Sequence, residues 1–344
     1  MFDPRIQVYS TCPPSGRMDG RGYLEQVARV AAWSDAAGCR GSLVYSDNSL
    51  VDPWLVAQVM LQSTRALRPL VAVQPVYMHP YSLAKMVATL GHLHGRGLDL
   101  NLVAGGFGND LAALRDATPH DRRYDRLVEY AGIATRLLSG DAPVSLDGEF
   151  YAVDRLKLAP PLPPELAPAL LISGSSAAGL SAASALGATA IRYPKPAGDS
   201  DDPAVQGIAA HGIRVGVIAR EEEDEAWAIA RARFPEERKG QIARQLASKV
   251  SDSVWHRQLA EMKPEEPTGP YWLVPFQNYK TMCPYLVGGY ERVAEELARY
   301  MALGSMTFIL DVPPDPDELH HTAVVFDRAL DRVSQRCLSC SPTG

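Results

Sequence analysis

The residues best suited to chemistry are Ser173-Gly174-Ser175-Ser176, which close one apolar run and open the alanine-rich segment Ala177–Leu186. Glycine lets the backbone approach a ligand closely, and hydroxyls with free N–H groups at a helix start can hold a phosphate dianion. Serine in that place also caps a helix with no ligand present, so the motif alone leaves both readings open. Tyr124, within His120-Asp-Arg-Arg-Tyr124, starts a second helical segment that can face the same pocket, which tips the balance toward phosphate. Asn101 lies on the apolar run Leu98–Ala104, which ends in two glycines. A carboxamide pointing inward there reads a heterocycle by hydrogen bonding, or is satisfied within the sheet. His79 follows another apolar run and is a candidate acid–base group or substrate contact, with a plain surface histidine as the alternative. Lys280 sits in a long aromatic-rich segment, either to hold an anionic handle or simply to be solvated.

Other chemistries have no visible apparatus. The chain lacks an H-E-x-x-H helix, a recognisable carboxylate pair, a G-x-S-x-G elbow and a Walker loop. Few acids and bases beside a phosphate cradle suggest that a cofactor carries the hard chemistry. The cysteines number five and are scattered, which reads as reduced thiols. Cys337-Leu-Ser-Cys340 has metal-site spacing but no second pair, so no metal site is expected, and 337–344 is expected to be a frayed tail.

The elements that must position these residues alternate. Strand-length apolar runs fall at Ile6–Thr11, Ser42–Ser46, Leu70–Gln74, Leu98–Ala104, Ala169–Ser173, Ala188–Tyr193, Ile213–Ala219 and Met306–Asp311. Most are continuous rather than alternating, as strands buried on both faces require. Helical periodicity fills Gly22–Gly38, Tyr81–His94, Arg123–Ser139, Glu223–Phe234, Gly289–Leu303 and Pro316–Val333. This order predicts an α/β fold, a (β/α)8 TIM barrel, as one domain over residues 1–336. The doubly wound alternative lacks its G-x-G-x-x-G after the first strand. Two insertions interrupt the alternation: a hairpin in Asp141–Pro168 around Asp147-Gly148, and a long loop, about Pro235 to Tyr285, between strands seven and eight. That loop reads as a lid or an oligomer contact.

With 344 residues, 46% hydrophobic and 22% charged, the composition is that of a globular protein with a large core. A net charge of −6 with interspersed signs argues against nucleic acid or an anionic membrane as partner. No apolar run reaches the ~18–20 residues of a membrane span. Met-Phe-Asp-Pro-Arg lacks the pattern of a secretory signal, so a cytoplasmic location is expected.

Several motifs recur in a fixed order: Asn101-Leu-Val-Ala-Gly-Gly106, His120-x-x-Arg-Tyr124, Leu137-Leu-Ser-Gly140 before Asp147-Gly148, Ser173-Gly-Ser-Ser176, Ile213-Arg-Val-Gly-Val-Ile218, and Tyr290-x-x-Val-Ala294 before Thr307-Phe-Ile-Leu310. Together they resemble the bacterial luciferase-like flavin monooxygenases, most closely the alkanesulfonate monooxygenase branch, over about Ile6 to Val333. The resemblance implies a barrel that takes reduced FMN from a separate flavin reductase. It further implies that O2 adds to the flavin C4a position and that the resulting peroxyflavin oxygenates a small or specialised organic substrate. It places the FMN phosphate against Tyr124, Gly174, Ser175 and Ser176, and the ring near Asn101 and Ala104. It also implies a homodimer or homotetramer and a non-prolyl cis peptide near Val73-Gln74.

Departures fall on the substrate side. Leu50 stands where the sulfonate branch has cysteine, Gly216 stands where it has histidine two residues after the matching Arg214, and the loop arginine is replaced near Tyr279–Lys280. Arg214, His79 and Lys280 are therefore the catalytic candidates. Two other functions remain open: an F420-dependent oxidoreductase on the same fold, and a flavin-binding protein without turnover.

Overall fold

Buried apolar runs become short parallel strands, and the amphipathic segments between them become the helices that cover the strands. The computed structural model of the chain describes residues 1–16, 18–105, 108–196, 211–235, 269–278 and 280–339. The strands of the barrel are β1 (Gln7–Thr11), β2 (Gly41–Val44), β3 (Arg68–Val73), β4 (Asp99–Leu102), β7 (Leu170–Ser173), β8 (Thr189–Arg192), β9 (His211–Arg214) and β13 (Ser305–Ile309). They close in the order β1-β13-β9-β8-β7-β4-β3-β2, with parallel pairing throughout. The expected eight-stranded barrel is thus observed. The remaining strands are β5 (Val144–Asp147) with β6 (Ala152–Leu156), and a separate sheet of β10 (Gly216–Arg220), β12 (Tyr285–Gly289) and β11 (Tyr271–Trp272).

Tyr9, Leu43, Leu70, Leu171, Ile191 and Ile309 fill the barrel interior. Each fully buried aliphatic side chain contributes about 1.5–3 kcal/mol. Outside, α1 (Gly20–Ala36), α2 (Pro53–Ser63), α3 (Pro80–His94), α5 (His120–Ser139) and α6 (Ala177–Leu186) bury their apolar stripes against the strands. Short α4 (Gly108–Ala113) precedes α5, and α7 (Glu223–Arg233) packs beside β10 and β12. The helices Tyr290–Ala302 and Pro316–Ser339 flank the closing strand β13.

The seventh expected strand, Ile213–Ala219, is two strands in two sheets. The Val215 N–H donates to the Ile309 carbonyl of the barrel at 3.0 Å, whereas the next N–H, of Gly216, donates to Pro284 at 2.9 Å. The chain leaves the barrel between those two bonds. Helix α2 was not expected either, although Asp52 caps it through bonds from Trp54 N and Leu55 N, and Pro53 occupies its first turn.

The Asp147-Gly148 hairpin forms as expected and is held from α5. Glu129 accepts from the N–H groups of Glu149, Phe150 and Tyr151 at 2.9, 2.9 and 3.2 Å. The last helix runs to Ser339, into the segment expected to fray, and residues 340–344 lie outside those described. So does most of the long loop, residues 236–268. No helix among the described residues is long and apolar enough to cross a membrane.

Candidate active site

Ser176 ends the turn after β7 and caps α6, its Oγ accepting from the Gly179 N–H at 3.1 Å. That is the ligand-free capping reading, and it is realised. It does not account for Tyr124. This side chain comes from near the start of α5 and is only 8% exposed, with its ring against two glycines. A Cβ at Gly174 would lie 2.6 Å from the Tyr124 hydroxyl, and one at Gly179 would lie 3.2 Å from the same ring. The backbone has come close in order to seat the phenol beside Ser176, to which it hydrogen-bonds. Burial raises the Tyr124 pKa, so the group is a neutral hydroxyl that can donate. The phenol, the Ser176 hydroxyl and the α6 N-terminus therefore stand together, and this donor set fits a phosphate.

Asn101 projects from β4 into the barrel and is 4% exposed. Its Oδ1 accepts from Ser173 Oγ at 2.8 Å, while Nδ2 makes no hydrogen bond among the described residues. The amide is thus half satisfied by the sheet and half available to a ligand acceptor. Ala104 is buried at the end of the same run, and Gly105 follows with φ +107°. The Val73–Gln74 peptide, expected to be cis, is trans; the cis bond among the described residues is Ala159–Pro160. Gln74 instead ties β3 to the loop after β2, its Nε2 donating to the Ser46 carbonyl at 3.2 Å.

Arg214 ends β9, and its buried guanidinium sits between two phenols. It bonds to the Tyr45 hydroxyl, reaches the Tyr193 hydroxyl at 3.5 Å, and lies 5.0 Å above the Tyr45 ring centroid. Burial works against its charge, but Tyr45, Tyr193, Cys283 and Asp311 outweigh burial and hold the guanidinium protonated. Its Nε is buried without a hydrogen-bond partner among the described residues. Nearby, Tyr285 of β12 donates to Asp311 Oδ2 at 2.7 Å. The Tyr285 ring fills the space above Gly216, where a Cβ would lie 2.3 Å from Cζ. Tyr45, Tyr193, Tyr285 and Asp311 were not singled out from sequence. Tyr45, Tyr193 and Asp311 lie just beyond the ends of β2, β8 and β13, and Tyr285 opens β12 at the close of the aromatic-rich loop.

The other two catalytic candidates stand elsewhere. His79 is exposed and caps α3, its Nδ1 accepting from the Tyr81 N–H at 3.2 Å, with the ring edge-on to Tyr151. Lys280 is exposed on the segment before β12, with its N–H bonded to the Pro275 carbonyl. The side-chain partners of His79, the Tyr81 N–H and the Tyr151 ring, are distinct from Arg214 and Tyr124. Tyr279 lies outside the described residues. No group of three or more potential metal ligands occurs among the described residues.

A parallel eight-stranded barrel whose strand ends bring Tyr124, Gly174 and Ser176 together is the architecture of many cofactor-dependent enzymes. The sequence profile described as luciferase-like monooxygenase matches residues 6–307, and the chain belongs to that family. It is accordingly a flavin-dependent monooxygenase. A relative from Niallia circulans, 4-(gamma-L-glutamylamino)butanoyl-[BtrI acyl-carrier protein] monooxygenase BtrO, is 34% identical over 93% of this chain and 96% of its own. Among solved structures, DmoA from Hyphomicrobium sulfonivorans has a TM-score of 0.73 at 16% identity, covering 96% of this chain and 88% of its own. The oxygenating constituent of 3,6-diketocamphane monooxygenase from Pseudomonas putida, solved with FMN, has a TM-score of 0.67 at 15% identity, covering 95% and 98%. At those identities the structures speak for the fold alone.

Proposed function

We propose that this chain is the oxygenase of a two-component system, taking reduced FMN from a separate flavin reductase and using O2 to oxygenate a small acyl substrate. The observation that carries the cofactor assignment is Tyr124, seated by Gly174 and Gly179 beside the Ser176 cap. Tyr124, Ser175 and Ser176 would hold the phosphate, and Asn101 with Ala104 would line the ring. Bound reduced flavin supplies the electrons that activate O2; the chain binds, orients and excludes water.

Arg214 is the catalytic candidate that the geometry supports. Because its neighbours hold it protonated, it acts as a fixed positive charge and hydrogen-bond donor at the mouth, where negative charge develops, rather than as a proton donor. An acyl substrate follows the name of the Niallia circulans relative, which acts on an acyl group borne by a carrier protein. An alkanesulfonate is less well supported, since Leu50 and Gly216 replace the cysteine and histidine of that branch.

Titration of the full chain with FMN tests the cofactor assignment. Tyr124→Phe and Ser176→Ala should each weaken FMN about fivefold to a hundredfold, the loss of one or two hydrogen bonds to a charged group. Unchanged FMN affinity in both variants would refute the cradle. Saturable F420 binding alongside weak FMN binding would move the chain to the F420 reading.

A further inference from the structure

Two side chains at the C-terminal ends of barrel strands carry donors that the described residues leave without acceptors. Leu43 packs in the barrel interior, and side chains two residues apart on a strand share a face. Tyr45 therefore stands one layer nearer the mouth, and its ring packs on the same interior cluster. Arg214 reaches that layer from β9, two residues beyond Gly212, where a Cβ would lie 2.9 Å from Ile191 Cδ1. Strands β2 and β9 have β1 and β13 between them, so the two residues meet across the barrel rather than along one strand pair. This end of the strands is where enzymes built on such barrels place their active sites.

Arg214 is only 7% exposed, and its Nε is buried without a hydrogen-bond partner among the described residues. Its Nη2 donates to the Tyr45 hydroxyl, so that oxygen serves as an acceptor. The proton of the same hydroxyl has no acceptor among the described residues. Buried donors left unsatisfied are costly, and a ligand acceptor would relieve the cost. Burial raises the Tyr45 pKa more than the guanidinium lowers it, so the phenol keeps its proton. A hydroxyl that accepts from a cation is also a better donor, because each bond of a chain polarises the next. The field of Asp311 already supports the Arg214 charge, so the pair calls for a neutral acceptor rather than an anion.

We propose that Tyr45 is a specificity-determining residue of the oxygenase, donating a hydrogen bond from its hydroxyl to the carbonyl oxygen of a neutral acyl substrate. The Arg214 guanidinium behind it holds the phenol in place. A carbonyl oxygen offers lone pairs and no donor, matching a place whose unsatisfied polar atoms are donors. An ammonium brings only donors and finds no acceptor on this pair. In the barrel order β8 separates β9 from the cradle strand β7, and β4 with β3 separate β2 from it. The acyl carbonyl would thus lie across the mouth from the flavin phosphate. This inference deepens the acyl-substrate reading above and rests on it.

Calorimetric titration of the full chain with S-butanoyl-N-acetylcysteamine and with S-butyl-N-acetylcysteamine, its carbonyl-free thioether, tests it. The thioester should bind at least about fivefold more tightly, the scale of one hydrogen bond. In Tyr45→Phe, which keeps the ring and removes only the hydroxyl, the preference should fall to within about twofold. Infrared difference spectra with the thioester carbonyl isotopically labelled give a second readout, which a merely structural role would not move. The bound carbonyl should absorb at lower frequency in the unaltered chain than in Tyr45→Phe. A thioester preference and carbonyl frequency unchanged in Tyr45→Phe would overturn the role of Tyr45 and leave the acyl reading standing. Equal affinity for the two probes, or no binding of either, would overturn both, and the unaltered chain alone decides that. Butanoate bound more tightly than the thioester would make the pair an anion site and sink the neutral-carbonyl assignment. A parallel FMN titration keeps the cofactor assignment separate, since only absent FMN binding counts against it.

Discussion

At position 216 any side chain meets the Tyr285 ring, because an ideal Cβ lies 2.3 Å from Cζ and 2.4 Å from Cε2. Gly216→Ala should therefore cost about 1–3 kcal/mol as overpacking, read as a lower urea midpoint with an unchanged slope. Adding Tyr285→Leu should recover most of that cost. Additive losses in the double variant would show that the ring is not what excludes a side chain at 216. The same contact explains why restoring the histidine of the sulfonate branch here is not conservative: the phenol that donates to Asp311 already occupies its place. None of this was legible from Gly216 itself, since its partner lies across the long loop, on a strand of the second sheet. Tyr124 was legible, because its motif stands at the start of a helix whose position in the barrel order fixes what it faces.

Elements were legible where periodicity was unbroken and obscure where one apolar run served two partners. Ile213–Ala219 reads as one strand because both sheets bury it, and only the change of hydrogen-bond partner at Gly216 divides it. Asp52-Pro53 marked the start of α2, but the helix is buried over much of its surface and lacks a clear polar stripe. The connection between α4 and α5 carries a testable electrostatic clip. Asp116 accepts from Arg126 Nη2 at 2.7 Å and from the Thr118 hydroxyl at 2.6 Å. Burial raises its pKa, yet these partners outweigh burial and hold it at about 2. A pKa depressed in the folded state stabilises above the unfolded value, near 3.9, and the contribution fades as pH falls through about 2. Asp116→Asn should therefore lose on the order of 1 kcal/mol at pH 5, and that deficit should shrink toward pH 2 in urea melts. A deficit constant across that range would mean that the carboxylate charge is not what secures the connection.

Across the whole molecule, the two ends of the barrel are built from different groups. The proposed site residues Tyr124, Asn101 and Arg214 stand on or after the strands toward their C-terminal ends, whereas the N-terminal end is closed by Asp99, which is fully buried. Asp99 accepts from the Tyr9 hydroxyl at 2.9 Å, from Arg40 Nε and Arg68 Nε at 3.0 Å each, and from the Ala169 N–H at 3.0 Å. Those partners come from β1, the start of β2, β3 and the approach to β7, so one carboxylate ties together strands that are distant in sequence. Asp99→Asn would leave two partly buried guanidiniums facing a neutral amide, and breaking such a group typically costs about 3–5 kcal/mol. The expected result is a denaturation midpoint lowered in proportion, with FMN affinity of the folded protein within about twofold of the unaltered chain, since Asp99 touches none of the cradle residues. Tyr124→Phe should give the converse: weakened FMN with a smaller change in midpoint. If Asp99→Asn weakened FMN as strongly as Tyr124→Phe did, the two ends would be coupled through the barrel interior, and the proposed flavin site could not be treated as a local construction of β7, α5 and α6.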